Sequence, residues 1–347
     1  MVVSSWGTPA LVLVFAAAGV ATWIAGIYLS KATDVLDVRF NLGDAVGGML
    51  LLGLAGSLPE LAITASAALS GHLSLAVGNL LGGIAMQTLV LVLLDFTSRR
   101  KRPLTSLATD ANPLLESMLV MALVTIALMG GYLPESTAVG SASPASIAIV
   151  VFFLLGIMGL NRARRQRAWM IAGDAPAPAV EGEGQNRFKS TSTKVVLGVF
   201  GLASVVTLFA GVMLEQTGNQ LADDFGMNGV VFGATILAAV TALPEISSGI
   251  AAVRLGQVGL AMSDIYGGNA MQLTFFLLAD LLAGSPVLPT ASPQSLWLGA
   301  TGALVTAIFA YGLLVRNEKK VIGLGRDSLL VLLTYIAAVS LLTAVPG

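Results

Sequence analysis

The sequence predicts an all-α polytopic membrane protein: ten transmembrane helices as two inverted five-helix repeats, with both termini outside. Three observations predict it. Hydrophobic residues make up 56% of the 347-residue chain and charged residues only 11%, where a soluble domain carries about 25% charged residues. Lysine and arginine occur in alternate loops only, and a 39-residue segment recurs 185 positions further on.

Apolar windows of the length that crosses about 30 Å of hydrocarbon fall near residues 9–31, 41–69, 73–96, 114–132 and 144–161, then 195–215, 228–253, 257–282, 294–315 and 328–345. The first window follows no basic stretch and reads as a retained span rather than a signal peptide. Basic residues mark the cytoplasmic side of short loops. Lys31 and Arg39 follow the first window, Arg99 to Arg102 the third, Arg162 to Lys194 the fifth, Arg254 the seventh, and Arg316 to Arg326 the ninth. The opposite loops, Gly131–Ala145, Glu215–Gly226 and Gly284–Gln294, contain neither Lys nor Arg. Only an even number of spans keeps that sorting, which puts both ends of the chain outside.

The organisation that follows is residues 1–161 as a first five-helix repeat, 162–194 as a linker and 195–347 as a second repeat. The linker carries an Ala-Pro-Ala-Pro run and Gly-Glu-Gly-Glu-Gly, a composition that buries too little surface to fold alone. It is expected in the cytoplasm, as a tether.

Composition also excludes chemistry. The chain has no cysteine and one histidine, His72, so neither a thiolate site nor a histidine metal cluster exists. Formal net charge is −1 and no basic face is evident, which argues against nucleic acid as a partner.

Aligned at the 185-residue offset, Ser57–Asp95 and Ala242–Asp280 share 14 of 39 positions without a gap. Leu58-Pro59-Glu60 matches Leu243-Pro244-Glu245, Gly82-Gly83 matches Gly267-Gly268, and Ala85-Met86-Gln87 matches Ala270-Met271-Gln272. Five spans is an odd number, so the second repeat enters the membrane inverted. Inverted repeats with interrupted helices are the plan of secondary transporters, with the site at the midplane between halves.

Glu60 and Glu245 fall deep in their windows, where a carboxylate costs a few kcal/mol and is a functional hypothesis by default. Each follows a proline, whose missing N–H frees a carbonyl one turn earlier, near Gly56 and Thr241. The chain then turns at Gly71 or Gly256 and returns, bringing Gly83 and Gly268 back to the depth of the glutamates, with Gln87 and Gln272 one turn beyond and Asn79 and Asp264 one turn before. Carboxylates, amide oxygens and freed carbonyls make a hard-oxygen cage suited to Ca²⁺ or a similar cation. Bland readings stand beside these: tight packing for the glycine pairs, cross-helix hydrogen bonds for the glutamines, a solvated external turn for His72, and interfacial positions for Asp95 and Asp280.

Gly56-Ser57-Leu58-Pro59-Glu60 with Gly78-Asn79-Leu80-Leu81-Gly82-Gly83, and Ala242-Leu243-Pro244-Glu245 with its partner segment, resemble the two alpha repeats of the calcium/cation antiporter superfamily. That resemblance covers both repeats, segments 56–95 and 241–280, and the ten-span plan. It implies Glu60 and Glu245 as central metal ligands, with Gly56, Ser57, Thr241, Gln87, Gln272, Gly83 and Gly268 around the cation and Asn79 and Asp264 as secondary candidates. The family's first motif usually reads Gly-Thr-Ser-Leu-Pro-Glu and its returning one Gly-Asn-x-x-Gly-Ser-Asn. Here Gly56 stands for threonine, Ala242 for serine, and Gly83 and Gly268 for serines, so most hydroxyls associated with Na⁺ are missing while Ser57 and Thr241 remain.

The expected function is a secondary active antiporter, not an enzyme, exchanging a divalent cation, Ca²⁺ foremost, for H⁺ (or Na⁺) by alternating access at the two glutamates. A Na⁺/H⁺ or K⁺-coupled monovalent cation exchanger and a passive cation channel stay open as alternatives. Expected partners are the transported cations and the lipid bilayer, with no cofactor, nucleotide or nucleic acid; the sequence leaves the oligomeric state open, a monomer being compatible with it. The expected location is the cell inner membrane.

Overall fold

The computed structural model describes residues 6–40, 53–98, 101–108, 111–166 and 190–346. The opening of the second apolar window, 41–52, and most of the linker, 167–189, lie outside the described residues.

The first half contributes α1 (Thr8–Phe40), α2 (Leu58–Ser70), α3 (Leu73–Thr97), α4 (Asn112–Gly130) and α5 (Pro144–Gln166). The second contributes α6 (Thr193–Asp224), then α7 (229–241), which contains a π-helical turn at Gly233–Leu237, and α8 (Leu243–Arg254). It ends with α9 (Val258–Leu273), α10 (Phe275–Ala283), α11 (Pro293–Val315) and α12 (Arg326–Leu341). Helix starts repeat at the offset seen in the sequence: Thr8 and Thr193, Leu58 and Leu243, Leu73 and Val258. Among the described residues six helices are long and apolar enough to cross a bilayer, and α7 with α8, bent by 44°, makes a seventh.

Polarity is inverted relative to a water-soluble protein. Glu60, Asn79, Gln87 and Asn269 are buried in the bundle, while Leu13, Val20, Leu202, Phe209 and Leu155 stand exposed on its outside. An apolar exterior around buried polar groups is stable only in hydrocarbon; the chain is a multi-pass membrane protein.

Four expectations change. The window 9–31 becomes a helix reaching Phe40, because Ala32, Val35 and Leu36 bury against Val196 at the start of α6. The window 195–215 likewise extends to Asp224, because Leu221 and Ala222 join Phe15 and Phe232 in an apolar cluster; its polar residues made it read as a loop. The window 257–282 breaks at Thr274, whose hydroxyl donates to the Met271 carbonyl at 2.6 Å, a side-chain bond that competes with the helix ladder. Lys320–Val321 and Leu324–Gly325 pair as a short antiparallel hairpin. Ile322 (φ 55°) and Gly323 (φ 81°) turn between them, the doubly positive geometry that two-residue hairpins prefer.

Helix α1 runs along α6, and this pair rests on α2 and α8. Helix α3 is central, packed between α11, α7, α9 and α12. Against α7 it approaches backbone to backbone: a Cβ at Gly78 would lie 2.6 Å from the Val230 carbonyl oxygen, and one at Gly82 would lie 2.7 Å from Ala234 Cα.

Asp95 and Asp280 are fully buried rather than interfacial. Asp95, near the end of α3, accepts from the Leu104 and Gly325 amides (3.0 and 2.6 Å) and the Ser328 hydroxyl (2.8 Å), and pairs with Lys320 at 3.1 Å. Asp280, its counterpart at the offset, accepts from the Ser143 and Val287 amides at 2.8 and 2.7 Å. Each aspartate thus ties its half to the start of the other half's last helix, α12 or α5.

Candidate cation-binding site

Proline sets the site. Pro59 and Pro244 occupy the first turns of α2 and α8, and the residues before those helices, Ser57 (ψ 17°) and Ala242 (ψ −2°), depart from helical geometry. Counted four residues back, the carbonyls that the prolines cannot serve with an N–H belong to Ala55 and Val240, one residue before the positions expected. Glu60 and Glu245 fall in the first turns that follow, where unpaired amides and the helix dipole favour negative charge. Both are buried, and the carboxylates close enough to act electrostatically on Glu245 are Glu60 and Asp264.

A pair of amides bridges the halves. Gln87 Nε2 donates to Glu60 Oε1 at 3.3 Å and to Gln272 Oε1 at 3.4 Å, and Gln272 Nε2 donates to the Leu80 carbonyl at 3.0 Å. The two glutamines are offset counterparts, so equivalent residues meet each other. Gly83 and Gly268 supply room for them. A Cβ at Gly83 would lie 3.3 Å from Gln272 Nε2, and one at Gly268 would lie 3.8 Å from Gln87 Oε1 and 3.9 Å from Ser57 Oγ. Thr241 faces Glu60 as well. One oxygen on each glutamate, Oε2, is buried without a hydrogen-bond partner, as is Gln87 Oε1. Three unmatched buried acceptors on neighbouring groups are the kind of oxygen that a cation or proton can satisfy.

The secondary candidates separate. Asp264 accepts from the Ser248 hydroxyl at 3.2 Å and lines a vestibule of about 640 Å³ with Lys31, Asp34, Gly267 and Gly268. Asn79 is buried at the contact between α3 and the π-helical turn, and lines neither that vestibule nor the smaller cavity that Gly56 borders beside Glu245.

Two features escaped the sequence reading. Asn269 is fully buried with both amide atoms unpartnered; it directly follows Gly267-Gly268 and matches the closing Asn of Gly-Asn-x-x-Gly-Ser-Asn, so the motif did contain the signal. His72 is not simply solvated: its Nδ1 lies 2.5 Å from Glu215 Oε1, and Ser66 donates to Glu215 Oε2 at 2.6 Å. Glu215 and His72 are 143 residues apart, and no local pattern announces the pair.

A lipid-embedded helical bundle whose two broken helices each hold a buried glutamate defines an ion-handling membrane protein. The chain belongs to the sodium/calcium exchanger protein family, which matches residues 10–158 and 195–344. It is 27% identical over 281 residues to Inner membrane protein YrbG of Escherichia coli (strain K12), covering 80% of this chain and 81% of the relative. It is 24% identical over 288 residues to the Ca²⁺/H⁺ antiporter ChaA of Bacillus subtilis (strain 168), covering 81% and 78%. Among solved structures, the H⁺/Ca²⁺ exchanger CAX superposes with a TM-score of 0.70 at 16% identity over 96% of this chain and 85% of that one. The sodium-calcium exchanger NCX_Mj superposes at 0.60 and 17% over 96% and 99%. These likenesses establish the fold.

Proposed function

We propose that the chain is a secondary active antiporter that exchanges a divalent cation, Ca²⁺ foremost, for H⁺ or Na⁺ by alternating access at Glu60 and Glu245. In this reading ten spans form two inverted halves in the inner membrane, the termini outside and the 162–194 linker in the cytoplasm. The observation that carries it is the meeting of repeat-equivalent groups at one buried locus, Glu60 with Gln87 and Gln87 with Gln272, at the first turns of two interrupted helices. Relatives named as an inner membrane protein and as a Ca²⁺/H⁺ antiporter support the location and the ion. Clustering of the Arg102–Glu318 and Lys320–Asp95 pairs at one end of the bundle supports the orientation.

Exchange follows from exclusive occupancy. A bound divalent cation needs both carboxylates ionised; protons that neutralise them release it and leave an uncharged centre able to reorient. Proton coupling is favoured because Gly83 and Gly268 stand where the family carries serines, which leaves Ser57, beside Gly268, as the serine hydroxyl near them and so fewer hydroxyls for Na⁺. The test is ⁴⁵Ca²⁺ uptake into proteoliposomes under a pH gradient and, separately, a Na⁺ gradient. Uptake driven by pH and abolished by Glu60→Gln and Glu245→Gln is expected. Uptake driven by Na⁺ alone overturns the proton coupling, and none under either gradient overturns Ca²⁺.

A further inference from the structure

Beside the glutamate pair lies a second, smaller cavity of about 30 Å³, bordered by Glu245, Asp264, Ser248, Thr207, Thr33 and Ser30 but not by Glu60. That exceeds the roughly 10–15 Å³ that admits one water, so the cavity has room for a water-sized ion. All six of these side chains end in oxygen, and six residues without side-chain oxygen, Ala55, Gly56, Pro59 and Pro244 among them, complete the lining. Two of those oxygens, Glu245 Oε2 and Thr207 Oγ1, are buried without a hydrogen-bond partner, and Thr207 is wholly buried. Helix interiors ordinarily satisfy a threonine hydroxyl on the carbonyl one turn back, as Thr33 does on Leu29 at 2.8 Å. Thr207 forgoes that bond where it borders the cavity, as Thr22 and Thr64 do away from it. Two carboxylates share this small volume, no lysine or arginine borders it, and Lys31 lines the adjoining vestibule with Asp264; a cation or protons in the cavity would offset the repulsion between the carboxylates.

The cavity has a direction and spans two structural groups. Ser30, Ser248 and Asp264 border the large vestibule as well, so they stand between it and Glu245. Thr207 belongs to α6, and Ser30 and Thr33 to α1, helices outside the repeated motifs, whereas Glu245, Ser248 and Asp264 belong to α8 and α9. At the offset Asp264 corresponds to Asn79, which borders neither cavity, so the second carboxylate is found in one half only, whereas Thr207 corresponds to Thr22, likewise buried with its hydroxyl unpartnered.

We propose that Asp264, Glu245, Ser248 and Thr207 form a second cation station, on the vestibule side of the glutamate pair, which receives a hard divalent cation before Glu60 does. Two carboxylates with hydroxyls suit such an ion. The station rests on the antiport reading, and its ligand from α6 makes its occupancy dependent on how α1 and α6 sit against α8 and α9.

The experiment is the half-saturation concentration for ⁴⁵Ca²⁺ uptake by the full chain, measured from the cytoplasmic face in inside-out vesicles and from the outer face in right-side-out vesicles. Asp264→Asn and Thr207→Val, both near-isosteric, are expected to raise the cytoplasmic value about tenfold or more and to leave the outer value within about twofold, with Thr207→Ser restoring most of the loss. Equal shifts at both faces, a shift at the outer face alone, or no shift overturns the station. Glu60→Gln separates the two claims. Uptake that survives it refutes the antiport reading. Uptake that it abolishes, but that is indifferent to Asp264→Asn, refutes the station alone, and a wild-type chain that moves no ⁴⁵Ca²⁺ refutes both.

Discussion

Replacing Asp95 by alanine tests whether the two halves are fastened to each other at the ends of their last helices. The carboxylate accepts two backbone amides, Leu104 and Gly325, and the Ser328 hydroxyl, and pairs with Lys320, whose side chain is only 12% exposed. Lys320 keeps one partner after truncation, because its ammonium also donates to the Asp95 main-chain carbonyl at 2.6 Å, and the serine hydroxyl is free to rotate. The two amides have no such recourse. A buried donor left without a partner costs about 1–3 kcal/mol, and removing one member of a buried ion pair costs about 3–5 kcal/mol. We therefore expect Asp95→Ala to destabilise the fold by about 3–5 kcal/mol, and Asp95→Asn, which keeps one acceptor oxygen, by about half of that. Asp280→Ala strands the Ser143 and Val287 amides and should cost about 2–4 kcal/mol. The assay is reversible unfolding by SDS in mixed micelles, read by far-UV circular dichroism. An Asp95→Ala midpoint within about 0.5 kcal/mol of wild type, the usual range for surface changes, would refute the reasoning.

Gly82 and Gly267 are offset counterparts in unlike surroundings among the described residues: a Cβ at Gly82 would lie 2.2 Å from Ala234 Cβ, and one at Gly267 meets no described atom within 4 Å. Gly82→Val should sharply reduce the yield of folded protein in a size-exclusion assay while Gly267→Val is recovered normally; equal yields refute the packing argument. If Ca²⁺ binding displaces protons from Glu60 and Glu245, apparent affinity should rise with pH with a logarithmic slope approaching two at low pH, falling toward one in Glu60→Gln. Isothermal titration across pH 5–8 reads it, and a flat profile rules out proton competition.

Much of the site was legible because it is written twice. Pro59-Glu60 and Pro244-Glu245 each read as an ambiguous kink alone, and their recurrence at a fixed offset with the Gly-Gly and Gln positions makes them a locus. Thr207 recurs at the offset as Thr22, but a threonine in an apolar run looks like any helix hydroxyl satisfied by its own backbone, and only the packing shows its oxygen unpaired beside a cavity. The pairing of His72 with Glu215 and of Asp95 with Ser328 depends on contacts between distant elements, which periodicity does not encode. Helix ends failed for the same reason: residues 215–224 read as loop by polarity and are held helical by Leu221 and Ala222 packing on Phe15 and Phe232.

The two halves share a plan but not an environment, and the differences point one way. Around the first repeat α3 is unbroken and its Gly78 and Gly82 are clamped on α7, so that face is sealed. Around the second repeat α9 ends at Leu273, and Gly267, Gly268 and Asp264 border an open vestibule. Sequence divergence explains Asp264 against Asn79. Gly82 and Gly267 are the same residue in the same motif, and among the described residues only Gly82 is packed; the counterpart of its partner segment falls at 44–56, of which 44–52 lie outside the described residues. Under the proposed alternating access the two copies must exchange packing, and Gly82 is the position at which α3 would have to part from α7.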